Sequence, residues 1–159
     1  MNRLDSLLAE VADCRLCAAH LPLGPRPVVQ LHPQARLLII GQAPGTKVHE
    51  TGIPFNDPSG DRLRDWLGVD RDTFYDASKI ALMPCGFCYP GRSPKGGDLP
   101  PRKECAPHWH AKLLPHLPHI GLTLLVGQYA QAHYLGPRRK RTLGDTVKAW
   151  EEYLPDYWP

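Results

Sequence analysis

Residues 37–63 read LLIIGQAPGTKVHETGIPFNDPSGDRL, and this segment carries the strongest structural signal in the chain. Its four leading apolar residues are typical of a strand that is buried on both faces of a parallel sheet. The glycines and prolines after them predict an irregular loop whose backbone amides can face a ligand. A phosphate-binding P-loop is excluded, because only three residues separate Gly41 from Gly45 and Thr46 precedes Lys47.

Outward from this segment, apolar runs alternate with helical patterns. Further buried strands are predicted at residues 80–83 and 122–126. Helical periodicity predicts helices over residues 1–12, 59–67, 104–117 and 128–135. In the second helix, Leu63, Trp66 and Leu67 are expected to lie on one apolar face. The alternation predicts a three-layer α/β/α fold with a central, mostly parallel sheet, whose ligands bind beyond the carboxyl ends of the strands.

Composition indicates one ordinary folded domain over residues 1–159. The chain is 42% hydrophobic and 22% charged, and its length is sufficient for one core. No apolar run approaches the roughly 20 residues that span a bilayer. Acidic residues also separate the N-terminal leucines, whereas a secretory signal needs an unbroken apolar stretch. We therefore predict a cytoplasmic monomer with no membrane partner.

Two motifs in the central segment resemble those of a known family. Residues 41–45 (GQAPG), followed by residues 52–55 (GIPF), resemble the first motif of the uracil-DNA glycosylase superfamily. Cys14 and Cys17 match the N-terminal cysteine pair of its iron-sulfur, thermostable branch, and residues 64–67 (RDWL) resemble a helix of its single-strand-selective branch. The resemblance covers residues 3 to about 135. It implies an enzyme of base-excision repair that hydrolyses the N-glycosidic bond of uracil or another deaminated base in DNA.

That reaction builds positive charge on the sugar and negative charge on the leaving base, and the base must first leave the helical stack. The resemblance assigns Phe55 to stacking on uracil, with Gln42, Ala43 and Pro44 as further contacts to the base. A core position is the alternative for Phe55. A carboxylate or a polarised water near the sugar is also required.

Gln42 stands where the iron-sulfur branch has a catalytic glutamate. An amide cannot act as a base, so Gln42 can orient a water molecule or contact the uracil. Asp57 is the candidate replacement, because another branch draws its carboxylate from this second loop; alternatively, Asp57 caps the next helix. The family's base-reading asparagine has no counterpart, since only Asn2 and Asn56 occur, and its His-Pro-Ser motif is missing. We expect either a truncated sequence or an activity that is weak, altered or absent.

Four cysteines resemble the ligands of the 4Fe-4S cluster in the thermostable branch, namely Cys14, Cys17, Cys88 and Cys105. Zinc is an alternative ion, and an accidental pair with buried thiols is the alternative without metal. Cys85 is the spare cysteine. The Pro- and Gly-rich loop over residues 84–102 favours metal binding, because it has little apolar content of its own to anchor it.

A basic run after the last predicted helix is the candidate phosphate contact: Arg138, Arg139, Lys140 and Arg141. A solvated loop is the alternative. The predicted partner is DNA that contains uracil or a damaged base. Two other functions compete with the enzyme: a DNA-binding, damage-sensing module without turnover, and a metal-stabilised domain that binds nucleotides or tRNA.

Overall fold

A computed structural model of the chain describes residues 2–159, and at its centre lie three parallel strands. They are β1 (Leu37–Ile40), β2 (Ile80–Leu82) and β3 (Leu122–Leu125). The strand order is β2-β1-β3, so the strand of the central motif is also the middle strand of the sheet. All three predicted strands are present, and the predicted α/β fold with a parallel sheet is confirmed.

The helices are α1 (Arg3–Ala12), α2 (Thr46–Thr51), α3 (Pro58–Leu67), α4 (Arg71–Phe74), α5 (Cys105–Leu113), α6 (Gln128–Leu135) and α7 (Leu143–Lys148). The predicted helices correspond to α1, α3, α5 and α6; Met1, included in the first prediction, lies outside the described residues. The third prediction ran past Leu113, where the structure changes to a 3₁₀ turn, Leu114–His116. Pro115 explains the change, because a proline inside a helix lacks the N–H for its hydrogen bond.

Both faces of the sheet are covered, as the continuous apolar strands require. Leu38 and Ile40 belong to the larger core, which includes side chains from α1, α5 and α6. Ile39 points to the other face, where it packs with Leu63 of α3 and Phe74 of α4. Successive side chains of β1 therefore pack into two cores on opposite faces of the sheet, which gives the fold three layers.

Both edges of the sheet are paired with chain from outside the strands. Gln30 forms an antiparallel bridge with Leu82 on the outer side of β2, and Trp158 forms a parallel bridge with Leu124 on the outer side of β3. These bridges occupy backbone groups that an open edge would expose. Within residues 2–159, no helix has both the length and the apolar character to cross a bilayer.

The apolar face predicted for α3 is only partly buried. The buried positions of α3 are Gly60, Leu63 and Arg64, while Trp66 is 75% exposed. The buried stripe is therefore rotated toward Arg64 and away from Trp66. Arg64 tolerates burial because its guanidinium finds polar partners, which removes most of the cost of burying a charge.

Candidate functional site

An open cleft of about 520 Å³ lies at the carboxyl ends of the three strands. Gly41 follows β1, Pro84 follows β2 and Val126 follows β3, and all of them line the cleft. This is the edge of the sheet at which the sequence predicts ligand binding. The structure also places in this cleft every residue assigned to the base or to catalysis: Gln42, Ala43, Pro44, Phe55 and Asp57.

Phe55 is half-buried and has an unusual backbone conformation. Its φ of 57° lies in the left-handed region, which costs a non-glycine residue about 1–3 kcal/mol. The ring packs on the smaller core and meets Phe74 edge-on, with 5.9 Å between ring centroids. It also lies over Gly41, where an added Cβ would be 3.1 Å from Cζ of Phe55. The ring therefore both contacts the core and lines the cleft.

Buried polar contacts hold the Phe55 loop in this conformation. Arg64 donates from Nη1 to the carbonyl oxygen of Phe55 (3.2 Å) and to the hydroxyl of Tyr75 (3.1 Å). Tyr75 in turn donates its hydroxyl hydrogen to the carbonyl oxygen of Pro54 (2.8 Å). Gly60 completes the support, because a Cβ at that position would lie only 1.7 Å from the carbonyl oxygen of Phe55. The loop is thus positioned by α3 before any ligand binds.

Asp57 is the N-cap residue of α3. Its Oδ1 accepts hydrogen bonds from the backbone N–H of Gly60 (2.8 Å) and from the hydroxyl of Ser59 (2.6 Å). The capping alternative is therefore realised in the structure. Oδ2 takes no part in these two bonds, and Asp57 also lines the cleft. Capping and a role at the sugar are compatible for this carboxylate.

Gln42 presents an exposed side chain to the cleft. Its backbone carbonyl accepts a hydrogen bond from Gly86 (3.0 Å), which ties the loop after β1 to the loop after β2. Its side-chain amide makes no hydrogen bond to any other group in the described chain. Its side-chain carbonyl oxygen and its NH₂ group are thus both available to a ligand or to water.

Four further polar or aromatic side chains line the cleft although the sequence did not predict them there: Ser59, Arg62, Trp66 and Asp98. Asp98 comes from the long loop over residues 84–102, and its Oδ2 lies 3.5 Å from where a Cβ of Gly45 would be. The Gly-Gly-Asp sequence at residues 96–98 of this loop was the available signal. Arg62 and Trp66 are four residues apart on α3, a spacing that places both on one face.

A second, mainly apolar cavity gathers the predicted metal ligands. Its lining includes Cys14, Cys17, Cys88 and Cys105, together with Trp109. Cys85 is buried elsewhere and does not line this cavity. The choice of Cys88 over Cys85 therefore agrees with the position of the side chains.

Two N–H groups point at sulfur atoms of this cavity. The backbone N–H of Phe87 donates to Sγ of Cys105 (3.3 Å), and Nε1 of Trp109 donates to Sγ of Cys14 (3.4 Å). Such bonds stabilise thiolates bound to iron-sulfur clusters. Burial raises the pKa of Cys105 to about 12 and that of Cys17 to about 11, where hydrogen bonding to Glu104 adds to the effect.

The donor set of this cavity consists of four cysteine thiols. Between residues 2 and 159, no three His, Cys, Asp or Glu side chains lie close enough together to share a single metal ion. A 4Fe-4S cluster takes one thiolate at each of four irons. The soft, apolar, four-cysteine lining fits that group.

Two residues of the basic run form ion pairs and the other two do not. Arg138 lies 3.6 Å from a carboxylate oxygen of Asp156, and Nζ of Lys140 lies 2.7 Å from Glu152. Arg139 and Arg141 make no ion pair within the described part of the chain. Both of them line another pocket, which also includes Gln128; its chain neighbour Gly127 lines the cleft.

Comparison with known proteins matches this chain to a family and to a curated relative. The sequence profile of the Uracil DNA glycosylase superfamily matches residues 28–159. A type-4 uracil-DNA glycosylase from Sulfurisphaera tokodaii is 23% identical over 128 residues, which cover 78% of this chain and 55% of that protein. The chain thus spans about half the length of this curated relative.

Proposed function

The chain belongs to the uracil DNA glycosylase superfamily, and from this membership we propose that it binds DNA with an extruded uracil, or another deaminated base, and hydrolyses the N-glycosidic bond. The observation that carries the proposal is the meeting of the motif residues in one cleft beyond the strand ends. The relative from Sulfurisphaera tokodaii, a type-4 uracil-DNA glycosylase by name, supports the same reaction class.

In the proposed reaction, the bond between C1′ of the sugar and the base breaks, and its electron pair leaves with the base. A water oxygen then bonds to C1′, and the proton that it releases balances the charge of the departing base. The free Oδ2 of Asp57 stabilises the positive charge that develops on the sugar. Gln42 orients the water or the base through its unpaired amide, and Phe55 stacks on the extruded ring.

We further propose that Cys14, Cys17, Cys88 and Cys105 hold a 4Fe-4S cluster. When bound, such a cluster supplies metal–thiolate bonds that link distant segments of chain. Here they would join the turn after α1, the loop after β2 and the start of α5. That loop also carries Asp98 into the cleft, so its anchoring bears on the geometry of the site.

A DNA-binding, damage-sensing module without turnover is the second candidate. The presence of Gln42 favours this second candidate, because its amide cannot act as a base and stands where the iron-sulfur branch has its catalytic carboxylate. The same cleft would then retain an extruded base through Phe55 and release it unchanged. The two candidates differ in cleavage and agree in binding.

The test uses fluorescent oligonucleotides with one uracil, in single- and double-stranded form, for cleavage. A 2′-fluorinated deoxyuridine, which resists cleavage, serves for binding. Phe55→Ala is expected to weaken binding of uracil-containing DNA by about 5- to 150-fold, the equivalent of one stacked base, with little change for undamaged DNA. Asp57→Asn is expected to abolish cleavage but spare binding and the helix cap, since asparagine also caps helices well.

Three other results would change the proposal, each in a different way. Selective binding of uracil-containing DNA without cleavage by the parent protein would support the damage-sensing module. Parental cleavage rates in Asp57→Asn would restrict Asp57 to helix capping. Equal loss of affinity for damaged and undamaged DNA in Phe55→Ala would make its ring a core residue and place the base pocket elsewhere.

A further inference from the structure

Trp66 stands out among the tryptophans by its exposure. At 75% exposed, it has the highest exposure of the large apolar side chains in the described chain. Trp109 is buried, while Trp150 and Trp158 stack on each other with 4.3 Å between ring centroids. Trp66 has no aromatic partner within residues 2–159, and it lies at the rim of the cleft that contains Phe55. An exposed indole beside the cleft offers a flat face on which a nucleic-acid base can stack.

Arg62 lies one helical turn before Trp66 on the same face of α3 and also lines the cleft. It is exposed and makes no ion pair in the part of the chain that the structure describes. Arg64 differs, because its guanidinium is buried against Phe55 and Tyr75. Helix α3 therefore offers one flat ring and one unpaired guanidinium at the cleft rim.

We propose that Trp66 and Arg62 form a nucleotide-binding ledge for the strand beside the extruded base. Extrusion leaves the neighbouring base with one unstacked face, and the Trp66 indole stacks on that face. The Arg62 guanidinium pairs with the phosphate of the same nucleotide, since its planar donors match phosphate oxygens. The inference deepens the proposed function and rests on it.

The ledge has a consequence for strand preference. In duplex DNA, the base beside the lesion remains paired with the opposite strand, which hinders its movement onto the indole. In single-stranded DNA, that base is free to rotate onto Trp66 at little cost. We therefore expect single-stranded, uracil-containing DNA to bind more tightly than the duplex, and we expect Trp66 to account for part of the difference.

The experiment measures binding of single-stranded and duplex DNA with one 2′-fluorinated deoxyuridine to the full chain by fluorescence anisotropy. Trp66→Ala is expected to weaken single-strand binding by about 5- to 150-fold, with a smaller effect on the duplex. Trp66→Phe should restore most of the affinity, because a phenyl ring still stacks, but it should lose the DNA-dependent quenching of tryptophan fluorescence. Arg62→Ala should flatten the salt dependence by about 0.7, as for one phosphate on a single strand.

Leu23→Ala is the matched control, since Leu23 is 55% exposed and lies outside the cleft. It should bind both forms of DNA as the parent does. Parental single-strand affinity and quenching in Trp66→Ala would overturn the ledge while leaving the proposed function in place. A parent protein that binds no uracil-containing DNA would overturn both. Equal weakening on single-stranded and duplex DNA would also contradict the ledge.

Discussion

Gly60→Ala tests whether α3 positions the base-stacking loop. Gly60 lies in the first turns of α3, and an added Cβ would lie 1.7 Å from the carbonyl oxygen of Phe55 and 2.6 Å from its carbonyl carbon. Contacts below about 3 Å essentially never occur at a real Cβ, so the carbonyl must move by about 1.3 Å. Such a movement breaks the hydrogen bond from Arg64 to that oxygen (3.2 Å).

Gly60→Ala is expected to destabilise the protein, whereas replacing a helical glycine by alanine usually stabilises it. In a helix with free space, alanine is favoured over glycine by up to about 1 kcal/mol. Here, overpacking costs about 1–3 kcal/mol, and loss of a hydrogen bond from a charged donor costs about 1.5–3 kcal/mol. We expect Gly60→Ala to lower the free energy of unfolding by about 2–5 kcal/mol.

Urea unfolding and binding of 2′-fluorinated uracil DNA are the measurements. Gly144→Ala in α7 is the matched control, because its Cβ would meet only the Thr142 hydroxyl at 3.9 Å. That variant should be as stable as the parent or more stable by up to about 1 kcal/mol. Gly60→Ala should also lose affinity for the extruded base, since the Phe55 ring moves with its backbone. A Gly60→Ala protein that is as stable as Gly144→Ala would refute the reasoning.

Three other perturbations address the cysteine cavity, a buried histidine and the basic run. Cys88→Ser should abolish the absorption near roughly 400 nm of anaerobically purified protein, whereas Cys85→Ser should retain it; colourless, metal-free, folded parent protein would exclude the cluster. Burial lowers the pKa of His110 from 6.5 to about 4, so the unfolded state binds the proton more readily between these values. The free energy of unfolding should therefore fall by about 3 kcal/mol as the pH drops from about 6.5 to about 4; an equal fall in His110→Gln would assign it to other groups. Arg139→Ala and Arg141→Ala should each flatten the slope of log affinity against log salt by about 0.7–0.9, and unchanged slopes would place them outside the DNA contact.

The sequence alone determined the strands, the main helices and the position of the cleft. Each of these depends on local pattern: the apolar run over residues 37–40 has to be covered on both faces, and the glycines and prolines after it cannot continue a strand. The motif that follows a central strand must then lie at its carboxyl end. The roles of Gln42, Phe55 and Asp57 came from the resemblance to the family motif, and the structure places all three side chains in that cleft.

Tertiary structure decided which face of α3 is buried and how its side chains are used. Apolar spacing grouped Trp66 with Leu63 and Leu67, but Trp66 is exposed. The guanidinium of Arg64 is buried instead, because Phe55 and Tyr75 supply its hydrogen-bond partners. Those partners come from loops that fold back from outside the helix. No periodicity within residues 58–67 contains that information, since it depends on non-local hydrogen bonds.

The sequence predicted four cysteine ligands and four basic contact residues. Only the folded chain shows which cysteines share a cavity and which basic residues form ion pairs. Cys88 lines the cavity with the other three predicted ligands and Cys85 does not, although only two residues separate them in the chain. Arg138 and Lys140 find carboxylates from the C-terminal segment, which leaves Arg139 and Arg141 without ion pairs in the described residues. Spacing along the chain sets which groups are available, whereas their partners depend on segments that only tertiary packing brings together.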